Sequence, residues 1–238
     1  MCGRYSLFVS PADLEERFDV TVTEYQPTYN AAPGQQLPVI RDVSAETLHH
    51  LEWGLIPPWA KSRDDSGHIN ARAETLGEKA SFRDAFVQSR GDLSAGRCLV
   101  LADGFYEWTE KNGGKQPFRI TRADEEPFAM AGLWTQWRPQ TTQTGLDEFS
   151  GSGTGKRDEL VETFTIVTTE PNELMADLHH RMPAVLPMTQ EREWLTRPTV
   201  KARELLDPVS SEELRAYPVS TAVNNPANDV PEVTEAVE

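Results

Sequence analysis

The run of strands and turns over residues 97–137 constrains the fold of this chain more than any other feature. Residues 97–108 are predicted as a strand, and the run Lys-Asn-Gly-Gly-Lys over residues 111–115 is typical of a β-hairpin turn. Further strands are predicted over residues 118–122 and 127–137. Because strands joined by hairpins pair in opposite directions, this stretch predicts an antiparallel sheet.

Other segments add strands and short helices in an irregular order. Strands are predicted over residues 37–40, 47–55 and 160–168. Helices are predicted over residues 11–18, 74–89 (at least from Ser81), 172–178, 190–195 and 200–206. The first helix has strong start signals in Ser10, Pro11 and Asp13. A regular alternation of strand and helix is absent. We therefore predict an α+β fold, a single domain around a largely antiparallel, barrel-like sheet with peripheral helices.

The chain of 238 residues is long enough for one well-packed domain, which we predict over residues 1–228. Residues 229–238 are predicted as an acidic C-terminal tail, and residues 138–159 as a flexible surface insertion rich in Gly, Ser and Thr. Residues 151–157 resemble a phosphate-binding loop, but Ser150 and Arg157 stand where that pattern requires Gly and Ser or Thr. We interpret them as a linker.

The composition is strongly acidic, with a formal net charge of −15 and 23 basic residues, of which 17 are arginines and six are lysines. This balance is typical of proteins from a high-salt cytoplasm and suggests a halophilic host. It argues against nonspecific binding of nucleic acid, although a local basic groove is compatible with it.

The sequence has two cysteines, Cys2 and Cys98. So few cysteines exclude a disulfide framework and suit a reducing cytoplasm, and Cys98 is interpreted as a buried strand residue. The sequence contains no long apolar stretch and no secretory signal, so a membrane location is not expected. No metal site is expected, because the paired histidines at 49–50 and 179–180 lack acidic or cysteine partners at metal-ligand spacing.

Cys2 has the most distinctive chemistry in the chain. A small second residue favours removal of Met1, and the mature chain would then begin with a 1,2-aminothiol. Its α-amine has a pKa of about 7.7–8.0, so a part of it is a neutral nucleophile at pH 7. Such an amine forms an imine with an aldehyde, and the adjacent thiol closes the imine to a five-membered thiazolidine.

Several segments combine polar residues with turn formers in a way that core packing does not require. They occupy residues 2–4, 69–74, 102–108 and 179–183. Together with the runs at residues 29–34, 53–59, 164–169 and 219–220, they resemble the SOS-response-associated peptidase family, also described as abasic-site processing proteins. The motifs occur in order over nearly the whole chain, which makes the joint match specific.

The resemblance implies a protein that binds single-stranded DNA and cross-links itself to abasic sites. The N-terminal cysteine forms a thiazolidine with the ring-opened sugar aldehyde, and the cross-link protects the lesion. The resemblance also implies autoproteolytic exposure of Cys2, a lyase activity, a monomeric state and contact with the replication machinery. It implies no cofactor.

Four residues carry over as catalytic. Cys2 is the nucleophile, and Asn70 orients the Cys2 amine or the sugar. Glu107 transfers protons, since a carboxyl beside apolar strand residues tends to have a raised pKa. His179 is the general acid that opens the sugar ring, and family spacing selects it over His180.

The DNA-binding residues carry over in three groups. The resemblance implies that phosphate is bound by Arg4, Arg72 and Arg181. It implies that bases stack on Trp53, Trp59 and Trp108. The DNA groove would also include Asn30, Pro33 and Thr168. Many relatives carry a second bulky aromatic residue after Trp59, where this chain has Ala60, so one stacking contact is in doubt.

Two alternatives to the cross-linking function stay open. The first is an N-terminal-nucleophile peptidase or amidohydrolase that attacks other molecules with the Cys2 thiolate. The second is a DNA-binding module that forms no covalent bond. It predicts that loss of Cys2 leaves binding unchanged, whereas loss of the arginines abolishes it.

Overall fold

The computed structural model describes residues 2–41, 47–63, 67–87, 94–111, 113–139 and 160–237. Most of the predicted insertion over residues 138–159 lies outside these ranges, as does the segment that resembles a phosphate-binding loop. None of the described helices is long and apolar enough to cross a membrane.

The described residues form short strands and shorter helices. The strands are β1 (Tyr5–Leu7), β2 (Thr28–Ala31), β3 (Gln36–Ile40), β4 (His49–Trp53), β5 (Asn70–Arg72), β6 (Ala95–Ala102), β7 (Gly104–Lys111), β8 (Gly114–Arg122), β9 (Phe128–Trp137), β10 (Val161–Thr169), β11 (Met182–Pro183), β12 (Val185–Leu186) and β13 (Leu214–Pro218). The α-helices are α1 (Pro11–Phe18), α2 (Ala80–Val87), α3 (Glu173–Ala176), α4 (Glu191–Thr196) and α5 (Thr199–Ala202). Short 3₁₀ helices occupy Ala73–Thr75, Met188–Gln190, Arg203–Leu205, Ser211–Glu213, Thr221–Asn224 and Pro231–Thr234.

Five of the strands close into a barrel. β3 pairs antiparallel with β4 and β6, β6 pairs antiparallel with β9, and β9 pairs antiparallel with β10. A parallel pairing between β10 and β4 completes the ring. The prediction of an α+β domain around a largely antiparallel, barrel-like sheet is confirmed.

A second sheet lies beside the barrel, with strand order β13-β8-β7-β1-β2 and antiparallel pairing throughout. One apolar cluster joins this sheet to the barrel and includes Tyr5, Phe105, Trp53 and Phe164. A separate cluster joins α2 and α4 to the barrel. Cys2 belongs to the cluster between the two sheets, with a side chain that is 0% exposed.

The predicted strand over residues 97–108 is two strands that belong to different sheets. The chain leaves the barrel at Asp103, whose carboxylate accepts hydrogen bonds from Ser6 Oγ, the Phe8 backbone and Arg119. Gly104 follows, and a Cβ atom there would lie 2.8 Å from the Arg119 guanidinium. Sheet switching at Asp103 corrects the prediction, because the partners that redirect the chain are distant in sequence.

The predicted helices exist, and α1 has the predicted bounds, whereas α3 and α5 are shorter than predicted. α1 begins as expected, since Ser10 and Asp13 form a reciprocal capping box and Pro11 occupies the first turn. In the described part of the stretch over residues 74–89, the helix is α2 and begins at Ala80, because residues 73–75 form a separate 3₁₀ helix that follows β5; residues 88–89 lie outside the described residues.

The last residues pack onto the domain, which differs from the loose acidic tail that composition indicates. Val233 is 1% exposed and lies in an apolar cluster with Tyr106, Val219 and Val223. Ala236 forms an isolated antiparallel bridge with Val219. A few apolar side chains in an otherwise polar segment are sufficient to hold it against β7 and β8.

Candidate active site and DNA interface

Strand pairing brings the segments with candidate catalytic residues to one region. β10 pairs with β5 so that Ile166 lies opposite Asn70 and Thr168 lies opposite Arg72. On its other side, Thr168 pairs with Pro183 of β11, the strand that follows the two histidines. The first residues join them through β1, which pairs with β7.

Cys2 lies between these strands and is fully buried. Its Sγ lies 3.8 Å from the backbone oxygen of Arg4, to which the thiol donates. Burial raises the pKa of the Cys2 thiol well above its usual range, and the nearby Glu107 carboxylate raises it further. The thiol is therefore protonated at neutral pH.

Asn70 contacts Cys2 directly. Its Nδ2 donates to the backbone oxygen of Cys2 at 2.7 Å. Its Oδ1 is buried and accepts no hydrogen bond from the described residues. A buried amide oxygen without a donor is costly, so the site presents an acceptor ready for a ligand or for a group exposed later.

Glu107 lies on β7 and is 3% exposed. Burial raises the pKa of the Glu107 carboxyl, and the charge of protonated His180 acts in the opposite direction. A carboxyl held in this way exchanges protons closer to neutral pH than an exposed glutamate does.

His179 and His180 stack with ring centroids 4.2 Å apart. Nδ1 of His179 accepts from the Arg181 backbone N–H at 3.0 Å and lies 3.1 Å from the Arg181 carbonyl oxygen. Nδ1 of His179 therefore has a hydrogen-bond partner whether or not it is protonated. When Nδ1 accepts in the neutral ring, the proton is on Nε2. Burial lowers the pKa of His179.

Arg4 is half-buried and has one edge without a partner among the described residues. Its Nη1 donates to Asn30 Oδ1 and to the carbonyl oxygen of Val223, both at 2.8 Å. Its Nε is buried without a partner, and its Nη2 forms no hydrogen bond with the described residues. The Nε and Nη2 groups point the same way from a guanidinium, so they form a fork that matches two oxygens of a phosphate.

The other two candidate arginines differ from one another. Arg181 is 8% exposed, and both its terminal nitrogens bind the Glu74 carboxylate, at 2.6 and 3.1 Å. It also donates to the backbone oxygen of Thr168, a residue that is 0% exposed. Arg72 is exposed, and its guanidinium forms no ion pair within the described part of the chain. The Arg72 side chain is accessible to a phosphate, whereas a phosphate would compete with the Glu74 carboxylate for Arg181. Thr168 has no exposed surface for such a contact.

The three candidate tryptophans also lie in different surroundings. Trp53 is 1% exposed, packs against Tyr5 and Phe164, and donates from Nε1 to the backbone oxygen of Ile69. The prediction that its ring stacks on bases is therefore wrong, because the ring is part of the core. Trp59 is 57% exposed, whereas Trp108 is half-buried.

Asn30 and Pro33 differ in exposure, because Asn30 is buried and Pro33 lies at the surface. Pro33 is exposed at the turn before Gly34, whose φ of +87° requires glycine-like freedom. Asn30 is 0% exposed, and its side-chain amide is fully used by protein partners. Asn30 therefore has no exposed surface with which to contact DNA, which corrects that prediction.

Sequence reasoning missed several residues of this region. Glu74 ends the polar run at residues 69–74, so its proximity to Arg72 gave a usable signal. Asn224, which accepts from Trp108 Nε1 at 2.6 Å, and Asp229, which accepts from the backbone of residues 29 and 30, gave none. Their partners are more than a hundred residues away in sequence.

Comparisons with known proteins identify the family and support the fold. The family model described as SOS response associated peptidase (SRAP) matches residues 1–226. The Bacillus subtilis protein named abasic site processing protein YoqW is 41% identical over 247 residues, which cover 99% of this chain and 100% of that protein. The Xenopus tropicalis protein named abasic site processing protein HMCES is 31% identical, over 100% of this chain and 78% of its own. A crystal structure of a protein from Bacteroides thetaiotaomicron superposes with a TM-score of 0.82 at 27% identity and full coverage of both chains.

Proposed function

We propose, given that this chain belongs to the SOS response associated peptidase (SRAP) family, that it processes abasic sites in DNA. The lesion is captured in single-stranded DNA by a covalent thiazolidine at Cys2. The observation that carries this proposal is the contact between Asn70 and Cys2, in which a buried amide donates to the Cys2 carbonyl while its own oxygen awaits a donor.

The proposed reaction begins with hydrolysis of the bond between Met1 and Cys2, which consumes water and frees the α-amine. The amine nitrogen attacks the C1 aldehyde of the ring-opened sugar, and loss of water gives an imine. The Cys2 sulfur then adds to the imine carbon while its proton moves to the nitrogen. The net change joins aminothiol and aldehyde with release of one water and requires no oxidant or reductant.

The buried side chains match the proton transfers of this sequence. Asn70 Oδ1 accepts a hydrogen bond from the freed amine. This contact orients the lone pair of the amine nitrogen towards the aldehyde. Glu107, with its raised pKa, takes the proton that the amine loses and returns one to the departing hydroxyl. His179 donates from Nε2 to the sugar ring oxygen, which opens the lesion to its aldehyde.

The state of the thiol favours this chemistry over a peptidase that acts on other molecules. Such a peptidase attacks with a thiolate, but burial and the Glu107 carboxylate keep the Cys2 thiol protonated. In the cross-linking route the amine attacks first, so the thiol adds to an activated imine later. Removal of Met1 by the chain itself belongs to the same proposal, with Glu107 as the base for the attacking group.

The test uses an oligonucleotide with one abasic site, mature protein whose free N-terminal cysteine is verified by mass spectrometry, and a denaturing gel. We expect a heat-stable shifted band without added reductant. Cys2→Ala keeps an α-amine, so it should give a band only when borohydride reduces the imine. Cys98→Ala is the matched control and should cross-link as the wild type does, because Cys98 is buried in the barrel strand β6.

An undamaged oligonucleotide should give no band. If mature wild-type protein gives none on the lesion either, the covalent function is wrong. Retained lesion binding would then favour a non-covalent DNA-binding module, and hydrolysis of peptides or amides would favour the peptidase.

A further inference from the structure

We propose that residues 223–229, here named the C-terminal clasp, position Arg4 for the DNA backbone, with Asn30 and Asp229 as positioning residues. This inference rests on the proposed function, since it concerns how the same site holds its substrate. The clasp ends at Asp229, the first residue of the segment that the composition predicts as a tail.

The first link is between the clasp and Asn30. Nδ2 of Asn30 lies within hydrogen-bond distance of the carbonyl oxygens of Val223, Asn225 and Asn228, at 3.2, 3.0 and 2.9 Å. Its Oδ1 accepts from Arg4 Nη1. The clasp carbonyls thus hold the Asn30 amide in one orientation, and this orientation places its Oδ1 as an acceptor for the Arg4 guanidinium.

The second link comes from the end of the clasp. Oδ1 of Asp229 accepts from the backbone N–H groups of Tyr29 and Asn30 and lies 3.3 Å from Thr28 Oγ1. These contacts hold β2 against the clasp, on the strand that carries Asn30. Without Asp229, nothing in the described residues replaces this acceptor at two adjacent backbone donors.

The third link reaches Arg4 itself. The Val223 carbonyl, which lies in the clasp, accepts directly from Arg4 Nη1 at 2.8 Å. Two acceptors on one terminal nitrogen fix the plane of the guanidinium, and the edge formed by the buried Nε and by Nη2 keeps its donors without a partner among the described residues. Since a long side chain loses conformational entropy when it binds, prior fixing of that edge lowers the cost of holding a phosphate.

The clasp also holds a neighbouring tryptophan. Asn224 Oδ1 accepts from Trp108 Nε1 at 2.6 Å, which sets the orientation of a half-buried indole on β7. Two residues earlier on the same strand, the hydroxyl of Tyr106 donates to the Tyr29 backbone oxygen at 2.6 Å. The clasp therefore contacts one candidate phosphate ligand and one candidate stacking residue, and both belong to the DNA side of the proposed site.

The experiment measures the Kd of undamaged single-stranded DNA against salt in the Cys2→Ala background, so that neither an imine nor a thiazolidine forms. Each lost phosphate contact lowers the slope of log K against log salt by about 0.7 for a single strand. Arg4→Ala should show this change and weaken binding about tenfold. Asn30→Ala and Asp229→Ala should reproduce the change in slope, and combining either with Arg4→Ala should add little.

Two features separate positioning from other effects. Removal of the Asp229 charge would tighten DNA binding by electrostatics alone, whereas loss of the clasp weakens it. Ser10→Ala is the matched control, because it removes a helix cap on α1 outside the clasp and should lower stability while leaving the slope unchanged. Asp229 is exposed, so its variant should fold even if Asn30→Ala does not.

The outcomes distinguish this inference from the proposed function. If the parent chain with Cys2 cross-links the lesion and Arg4→Ala lowers the slope while Asp229→Ala does not, the clasp is wrong and the function stands. If Arg4→Ala itself leaves the slope unchanged, Arg4 holds no phosphate and the inference also fails. Absence of any cross-link with intact Cys2 would instead overturn the function.

Discussion

At the scale of single residues, the candidate site combines side chains whose burial changes their pKa values or leaves a hydrogen-bond acceptor unused. Cys2 is a buried thiol, Glu107 a buried carboxyl and Asn70 an amide with a buried, open acceptor. Their residue types and sequence positions were predictable. Their burial was not, because it comes from the packing of the second sheet against the barrel.

Glu107 should leave a signature in the pH dependence of stability. Its pKa in the folded chain is raised above the ordinary 4.5, so the folded state binds more protons than the unfolded state above that pH. The free energy of unfolding should therefore fall as pH rises through this window, and Glu107→Gln should lack that part of the fall. Each unit of raised pKa corresponds to about 1.36 kcal/mol.

The measurement is urea unfolding of both proteins between pH 4 and pH 8. Glu110→Gln is the matched control, since Glu110 lies on the same strand but is exposed. A constant difference between wild type and Glu107→Gln across that range would contradict the burial of an ionisable carboxyl at this position.

At the scale of elements, the switch from β6 to β7 places Glu107 in the site. The Arg119 guanidinium that fills the space beside Gly104 is held by Asp103, by Ser6 and, at 2.8 Å, by Tyr217. A strand running straight through Asp103 would keep Glu107 in the barrel sheet and away from Cys2. The change of sheet is thus part of how the site is built.

Gly104→Ala should therefore destabilise the protein by about 1–3 kcal/mol, as overpacking in a tight core does. The added Cβ would lie 2.8 Å from a guanidinium that its hydrogen bonds prevent from moving freely. The midpoint of urea denaturation measures the effect. Gly67→Ala is the control, because nothing lies within 4 Å of its Cβ position, and equal midpoints for the two variants would count against a packed switch.

At the scale of the whole molecule, the acidic surface and the site make opposite demands on salt. A net charge of −15 repels itself, and added salt screens that repulsion. Salt also weakens the attraction between the arginines and phosphate. The proposed covalent bond would retain the lesion under salt conditions in which ionic contacts alone would not.

Stability should consequently rise with KCl between 0.1 and 2 M near pH 7. Thermal or urea unfolding across that series measures it, and the gain should shrink near pH 5, where protonation of carboxylates reduces the repulsion. Equal stability in dilute buffer and in concentrated KCl would contradict the hypothesis of adaptation to salt.

The same scale shows where sequence reasoning succeeds. Local signals predicted α1 well, since Ser10, Pro11 and Asp13 act on backbone groups a few residues away. Strand patterns predicted the sheet, and the order of motifs predicted the family. Trp53 and Asp229 were misjudged because exposure and long-range partners depend on how distant segments meet, which residue types alone do not encode.

The complete burial of Cys2 has a consequence for the lifetime of the protein before it meets a lesion. Peroxides and disulfides react with the thiolate form of cysteine at accessible sites. A protonated sulfur with no exposed surface resists both, so burial alone helps to keep the Cys2 thiol reduced. In the proposed mechanism the same packing holds the thiol back until the amine has reacted, so protection from oxidation and the order of bond formation have one structural cause.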